Sequence, residues 1–134
     1  MNREIKFRAW DKKNKLIIKM VHFIDFFNKK IFGKKFLAED GYIPFKDIIL
    51  LQYTGLKDNK RTKEYPEGQE IYEGDVVIHH YFEERFTVIW EKKQSRIALK
   101  YLDKSTQEMF PIDSEHFEII GNIYENPELL EDTK

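Results

Sequence analysis

The carboxylates around Gly74 are the residues whose spacing comes closest to a catalytic arrangement. Glu73 and Asp75 flank this glycine in the stretch Ile71–Val77. Two carboxylates can share acid–base work or hold a metal ion, but only at a defined separation and with one raised pKa. The glycine can supply a positive-φ position, and the aspartate can accept backbone N–H groups within a turn. We therefore predict that Tyr72, Glu73, Gly74 and Asp75 form a structural turn.

Two neighbouring histidines, His79 and His80, precede the acidic pair Glu83-Glu84. Successive side chains of a strand point to opposite faces, so both histidines cannot bind one ion without a bulge. The chain has no cysteine, which excludes disulfides, thiolate nucleophiles and Cys-based metal sites. We therefore assign no catalytic residue, no cofactor and no metal ligand from the sequence.

Basic residues alternate with aromatic ones near the N-terminus. Cationic grooves and stacking rings are the means by which proteins hold single-stranded nucleic acid. Phe7 and Trp10 lie on opposite faces of one predicted strand, so at least one of them belongs to the core. The chain as a whole carries a net charge of −1, which weakens the attraction for phosphate. The candidate binding surface comprises Lys6, Arg8, Trp10, Lys12 and Lys13.

The charge is divided unevenly along the chain. Residues 1–66 carry 16 Lys and Arg against 8 Asp and Glu, whereas residues 67–134 carry 7 against 16. The balance thus changes from +8 to −9 within a polar connection that contains Pro66 and Gly68. We predict a basic N-terminal β lobe (1–66) and an acidic C-terminal lobe (67–134), which can also form one continuous unit. Such a split can serve an anionic partner, a contact between copies, or attraction within one fold.

The elements that must position these residues are short strands. Apolar and polar residues alternate over 4–10, 86–91, 97–102 and 117–124, a period of two that is typical of half-buried strands. Strands at short intervals with tight turns predict a small antiparallel barrel in the second half, and Gly121 fits a bulge or corner there. Residues 20–36 fit either a helix or strands. Asn126-Pro127-Glu128 predicts the start of a short C-terminal helix.

The composition is that of a soluble protein. Hydrophobic residues make up 41% of the chain and charged residues 35%, which is enough apolar surface for a core. No apolar run reaches the roughly 18 residues of a membrane span, and the first residues do not resemble a signal peptide. Together with the absence of cysteine, this predicts a cytoplasmic location and no membrane partner.

Four blocks of the sequence carry a family resemblance. They are REIKFRAWD (3–11), LQYTGLKD (51–58), EIYEGDVV (70–77) and EIIGNIYENPELL (118–130). In this order they resemble the YopX family of phage and prophage proteins. The resemblance implies an SH3-type barrel lobe and a phage or prophage origin, but it implies no reaction. The family runs almost directly from the second block into the third, whereas here the connection is lengthened by Arg61–Gln69. The conformation of residues 57–69 therefore stays open.

Three classes of function are compatible with the sequence. The first is a non-enzymatic accessory module that binds a host or phage macromolecule or assembles with itself. The second is a nucleic-acid-binding module that uses the basic N-terminal lobe. The third is a carboxylate- or metal-dependent hydrolase, for which Glu73 and Asp75 would be tested. We rank them in this order, with an enzyme less expected than a binding module.

Overall fold

A computed structural model of the chain describes residues 4–34, 39–93, 95–102, 109–110 and 116–131. The structure is mainly antiparallel β, as predicted, with one short C-terminal helix. It packs as two compact units. The first is called the N-terminal unit (Ile5–Gln52), and the second, from Tyr53 onward, the C-terminal unit. The division predicted between residues 66 and 67 was placed where the charge balance changes sign, whereas the division between Gln52 and Tyr53 separates two packed units. Among the described residues, no helix has the length and apolar character to cross a membrane.

The N-terminal unit contains a hairpin and a three-stranded sheet. Strand β1 (Phe7–Asp11) pairs with β2 (Leu16–Ile18) and with the first half of β6 (Ile48–Lys57). The order of the three-stranded sheet is β3 (Val21–Asp25), β4 (Lys30–Lys34), β5 (Asp40–Pro44). A turn of 3-10 helix (Phe45–Asp47) leads into β6. Within the ambiguous stretch 20–36, the described residues form the strand pair β3–β4, since their aromatic and β-branched residues favour strands. The core residues are Ala9, Ile18, Ile31, Ile43 and Ile48.

The C-terminal unit is built on a curled, half-barrel sheet of five strands. The second half of β6 pairs with β7 (Glu70–Tyr72). The sheet itself has the order β11-β10-β9-β8-β12. Its strands are β8 (Asp75–His79), β9 (Arg85–Glu91), β10 (Arg96–Tyr101), β11 (Met109–Phe110) and β12 (Phe117–Asn122). Ile71, Val77, Phe86, Val88, Leu99 and Phe117 form its core.

Two sequence features of this unit find their structural counterparts. The register of β12 against β8 shifts between Ile119 and Gly121, which confirms the predicted bulge. The helix α1 spans Glu128–Glu131. The side-chain oxygen of Asn126 accepts the N–H of Asn122 at 3.1 Å, so it closes the turn after β12 instead of capping the helix.

The lengthened connection between β6 and β7 is anchored by Asp58. Its carboxylate is 3% exposed and accepts the N–H of Gln69 at 2.9 Å and that of Ile119 at 3.1 Å. Its own N–H donates to the carbonyl of Gln69 at 2.9 Å. Strand β6 ends at Lys57, directly before Asp58. One side chain therefore joins both ends of the loop to β12.

Gly68 lies where this loop closes, and we expect a side chain there to be costly. Its φ is +95°, and a Cβ atom would lie 2.3 Å from the carbonyl oxygen of Asp58. Gly68→Ala should lower the free energy of unfolding by about 2 kcal/mol or more, because strain and a clash with backbone add. Urea unfolding measures this. The control Glu67→Ala changes an exposed neighbour and should stay within about 0.5 kcal/mol of the unsubstituted protein; equal effects of the two would contradict the expectation.

Candidate nucleic-acid interface

The three-stranded sheet of the N-terminal unit has two chemically different faces. Ile31 and Ile43 are buried and Ile24 is partly buried. Because side chains alternate along a strand, the residues between them point to the opposite face. That face is the most aromatic exposed surface of this unit.

Three rings, those of Phe23, Phe32 and Tyr42, form a compact cluster on that face, with the Phe23 and Tyr42 centroids 6.1 Å apart. Phe32 on β4 is directly opposite Phe23 on β3 and Tyr42 on β5. The Phe23 and Phe32 rings are stacked with centroids 5.1 Å apart, and Phe32 and Tyr42 meet edge to face at 4.9 Å. Phe23 is 49% exposed and Tyr42 50%. The outer two rings thus keep surface for a partner, and we call Phe23, Phe32 and Tyr42, with Lys30, the ring face.

Lys30 supplies positive charge within the ring face. Its Nζ lies 4.2 Å from the centroid of the Tyr42 ring, a cation–π contact. Exposed Lys29 precedes it, with a φ of 56°. At the other end of the strands, Lys34 is paired in register with Asp40, whose Oδ2 lies 3.3 Å from Nε2 of His22. At the Lys29–Lys30 end, Lys30 is likewise paired in register with Asp25, so exposed Lys29 supplies the additional positive charge there.

The turn between β3 and β4 extends the aromatic surface at this end. Phe26 is 68% exposed and Phe27 91%. The Asp25 carboxylate holds the turn by accepting the backbone N–H and the side-chain amide of Asn28, at 2.9 and 2.8 Å. These bonds, the backbone one foremost, hold the pKa of Asp25 below its usual value. The two rings are thus displayed by an ordered turn.

The five residues of the predicted basic surface on and after β1 differ in their exposure to solvent. Trp10 is 9% exposed and therefore offers little ring surface for stacking. Lys6 and Arg8 are half-buried, whereas Lys12 and Lys13 are exposed in the turn after β1. Lys13 Nζ lies 3.5 Å from a carboxylate oxygen of Asp47. That these five residues form a binding surface stays a prediction.

The turn after β1 carries a pH-dependent carboxylate. Asp11 accepts the N–H groups of Lys13 and Asn14, each at 3.0 Å, and the Asn14 amide at 2.8 Å. Burial by itself raises the pKa of Asp11, but these hydrogen bonds, led by those of Asn14, outweigh it and hold that pKa below 3.8. A lowered folded-state pKa means that the contribution of Asp11 to stability is complete above about pH 4 and is lost as the pH falls through the folded-state value.

We therefore expect Asp11→Asn to destabilise the protein more at pH 7 than at about pH 2.5. At neutral pH the variant lacks the charged acceptor, whereas the unsubstituted protein also loses it as the pH falls through the folded-state pKa of Asp11. Urea unfolding at both pH values measures the difference. An equal loss at the two pH values would contradict this expectation.

The Tyr72–Asp75 segment forms the predicted tight connection, here between β7 and β8. Gly74 has a φ of 87°, and the buried Asp75 carboxylate accepts the N–H of Tyr72 at 2.8 Å. The Gly74 N–H donates to Val88 at 2.8 Å. Burial, and secondly the Glu73 carboxylate, raises the pKa of Tyr124. Within the described residues, no group of three or more His, Cys, Asp and Glu side chains is placed to hold a metal ion.

Sequence reasoning missed the ring face for an identifiable reason. Phe23, Phe32 and Tyr42 are separated by 9 and 10 positions, and only a strand assignment for residues 20–36 brings them into register. Gly41 and Pro44 favour a turn or a strand edge over a central strand. In the structure Pro44 ends β5, which is an outer strand of its sheet. The aromatic and β-branched residues of 20–36 were the usable signal for strands.

Comparisons with known proteins agree with this fold. The model of the YopX protein family matches residues 6–131. Among solved structures, protein EF1440 from Enterococcus faecalis is similar, with 26% sequence identity and a TM-score of 0.63 over 96% of this chain and 99% of that one. A search of curated proteins gives no match. The family match covers nearly the whole chain, so the chain belongs to the YopX family.

Proposed function

We propose that the chain is a non-enzymatic binding module whose ring face holds single-stranded nucleic acid. The observation that carries the proposal is the cluster of three rings on one sheet face, two of them half exposed, with Lys30 beside it. Unpaired bases stack on aromatic side chains while lysines contact the phosphates. A duplex conceals its base faces, so the ring face should select single strands.

The exposed parts of the rings favour a short binding site. Phe23 has its outer side open at the outer strand β3, and Tyr42 is open on β5. Phe32, on the strand between them, is half-buried. The Phe23 and Tyr42 centroids are 6.1 Å apart, so the cluster matches one or two nucleotides. Each stacked base contributes about 1–3 kcal/mol.

The local charge supports the same partner. Residues 5–52 contain 11 Lys and Arg against 5 Asp and Glu, a balance of +6. The lysines of the ring-face end, Lys29 and Lys30, are adjacent to the exposed rings of the turn at Phe26 and Phe27. A site that neutralises two phosphates of a single strand gives a slope of log affinity against log salt of about −1.4. The affinity for single strands should therefore fall as the salt concentration rises but should remain measurable.

The test is fluorescence polarization of labelled oligonucleotides against the full chain across a salt series. We expect single-stranded DNA or RNA to bind more tightly than duplex DNA, with the shallow salt slope given above. An absence of salt-sensitive binding to any single strand at low salt would overturn the proposal. Parallel DNA and RNA oligonucleotides identify which of the two is preferred.

We also propose that this module acts in the cytoplasm of a bacterial host as a phage or prophage product. The resemblance of its sequence blocks to the YopX family supports the origin. The lack of cysteine supports a reducing compartment. Fractionation of infected or induced cells, with detection of the chain, tests the location.

A further inference from the structure

The turn between β8 and β9 displays an acidic aromatic segment in the C-terminal unit. Tyr81 is 72% exposed and Phe82 77%. The next two residues, Glu83 and Glu84, are exposed as well. Four successive residues thus present two rings and two carboxylates to solvent.

His79 holds this turn in place. Its Nδ1 accepts the backbone N–H groups of Tyr81 and Phe82, at 3.1 and 3.2 Å. Its backbone N–H donates to the carbonyl of Glu84 at 2.8 Å. The imidazole lies 4.7 Å from the Phe82 ring and is stacked on His116 at 5.6 Å, centroid to centroid. The two exposed rings therefore lie on an ordered turn. Their prior ordering lowers the conformational entropy that is lost when a partner binds.

The charge of this unit is opposite to that of the unit carrying the ring face. From residue 53 onward the chain has 11 Lys and Arg against 18 Asp and Glu, a balance of −7. The N-terminal unit has a balance of +6. Complementary charge of this kind promotes encounter and selects the orientation of a contact. It favours the basic unit of a second copy as the partner of the turn.

We propose that the β8–β9 turn of one copy docks on the ring face of a second copy and imitates a single strand there. Its rings take the place of bases and its carboxylates the place of phosphates. Self-association and nucleic-acid binding therefore exclude one another at that face, a competition that rests on the proposed function. The contact is heterologous, because it joins two different surfaces of the chain, and it leads to rings or open chains of copies.

The first test is the mass of the full chain without nucleic acid, measured by sedimentation velocity over a range of concentrations and salt. We expect concentration-dependent association at low salt that weakens as salt rises. The double variant Tyr81→Ser/Phe82→Ser should weaken association about tenfold or more, since exposed aromatic anchors dominate such contacts. The control Trp90→Ser removes a ring that is 48% exposed elsewhere in the same unit, and it should leave association unchanged.

A charge-reversal pair tests the orientation. Glu83→Lys/Glu84→Lys should not associate with itself, nor should Lys29→Glu/Lys30→Glu. An equimolar mixture of the two should associate again, because the lysines introduced in the turn of one variant can pair with the glutamates introduced beside the ring face of the other. Circular dichroism confirms that each variant folds. Failure of the mixture to associate would contradict the proposed orientation.

The two proposals fail in different ways. Tyr81→Ser/Phe82→Ser should bind single-stranded oligonucleotides at least as tightly as the unsubstituted chain, whereas Phe23→Ser/Tyr42→Ser should lose both activities. A chain that binds single strands but stays a monomer at every concentration and salt overturns the docking proposal alone. A chain that associates through the turn without binding any oligonucleotide overturns the proposed function and leaves the docking contact standing.

Discussion

Replacing Asp58 by alanine should lower the free energy of unfolding by about 2–5 kcal/mol. The carboxylate is buried and is the acceptor for the N–H groups of Gln69 and Ile119. Each buried donor left without an acceptor costs about 1–3 kcal/mol. The two donors lie 11 and 61 positions away in the chain, so one substitution loosens both the lengthened loop and its attachment to β12.

Urea unfolding measures this loss, and limited proteolysis locates it. Faster cleavage after Lys60, Arg61 or Lys63 is expected, because those sites lie within the loop that Asp58 closes. The matched variant Asp58→Asn retains one acceptor oxygen and should lose less than the alanine variant. A loss below about 1 kcal/mol for Asp58→Ala would contradict the anchoring role.

The second large effect concerns binding. Phe23→Ser/Tyr42→Ser should weaken the binding of single-stranded oligonucleotides by about 30-fold or more, since two stacking contacts of about 1–3 kcal/mol each are removed. Both rings are half exposed, so the fold should persist, and thermal unfolding verifies that it does. Polarization at constant salt gives the ratio of dissociation constants.

Two further variants separate stacking from charge. Lys30→Ala should make the salt slope shallower by about 0.7, the contribution of one phosphate contact on a single strand. Trp90→Ser serves as the control for loss of an exposed ring and should bind like the unsubstituted chain. If the Phe23/Tyr42 variant binds as tightly as this control, the ring face is not the site.

A common physical logic connects the ring face and the β8–β9 turn. Hydrogen bonds hold an aromatic turn in place in each region. The carboxylate of Asp25 holds the β3–β4 turn beside the ring face, and the imidazole of His79 holds the β8–β9 turn. Contiguous exposed aromatic surface of this kind marks interaction sites. The opposite charges of the two units then favour pairing the two surfaces between copies.

The local periodicity of the sequence was sufficient to predict several strands, among them β1, β9, β10 and β12, and the class of fold. A period of two marks β9, β10 and β12, and the Tyr72–Asp75 turn follows from the conformational range of glycine and the acceptor oxygens of aspartate. These features depend on near neighbours in the chain. The ordered blocks, ending in Glu118–Leu130, were enough to recognise the family as well.

The tertiary structure alone decided which residues meet and which face is exposed. Trp10 looked like a stacking ring but is buried, whereas Phe23 and Tyr42 are brought together by strand register across a sheet. Asp58 accepts the N–H of Ile119 only because the fold places β12 beside it, 61 positions further along the chain. Periodicity assigns a side chain to one of two faces but does not say what covers that face. Burial depends on contacts between distant segments, and so the candidate site emerged only from the folded chain.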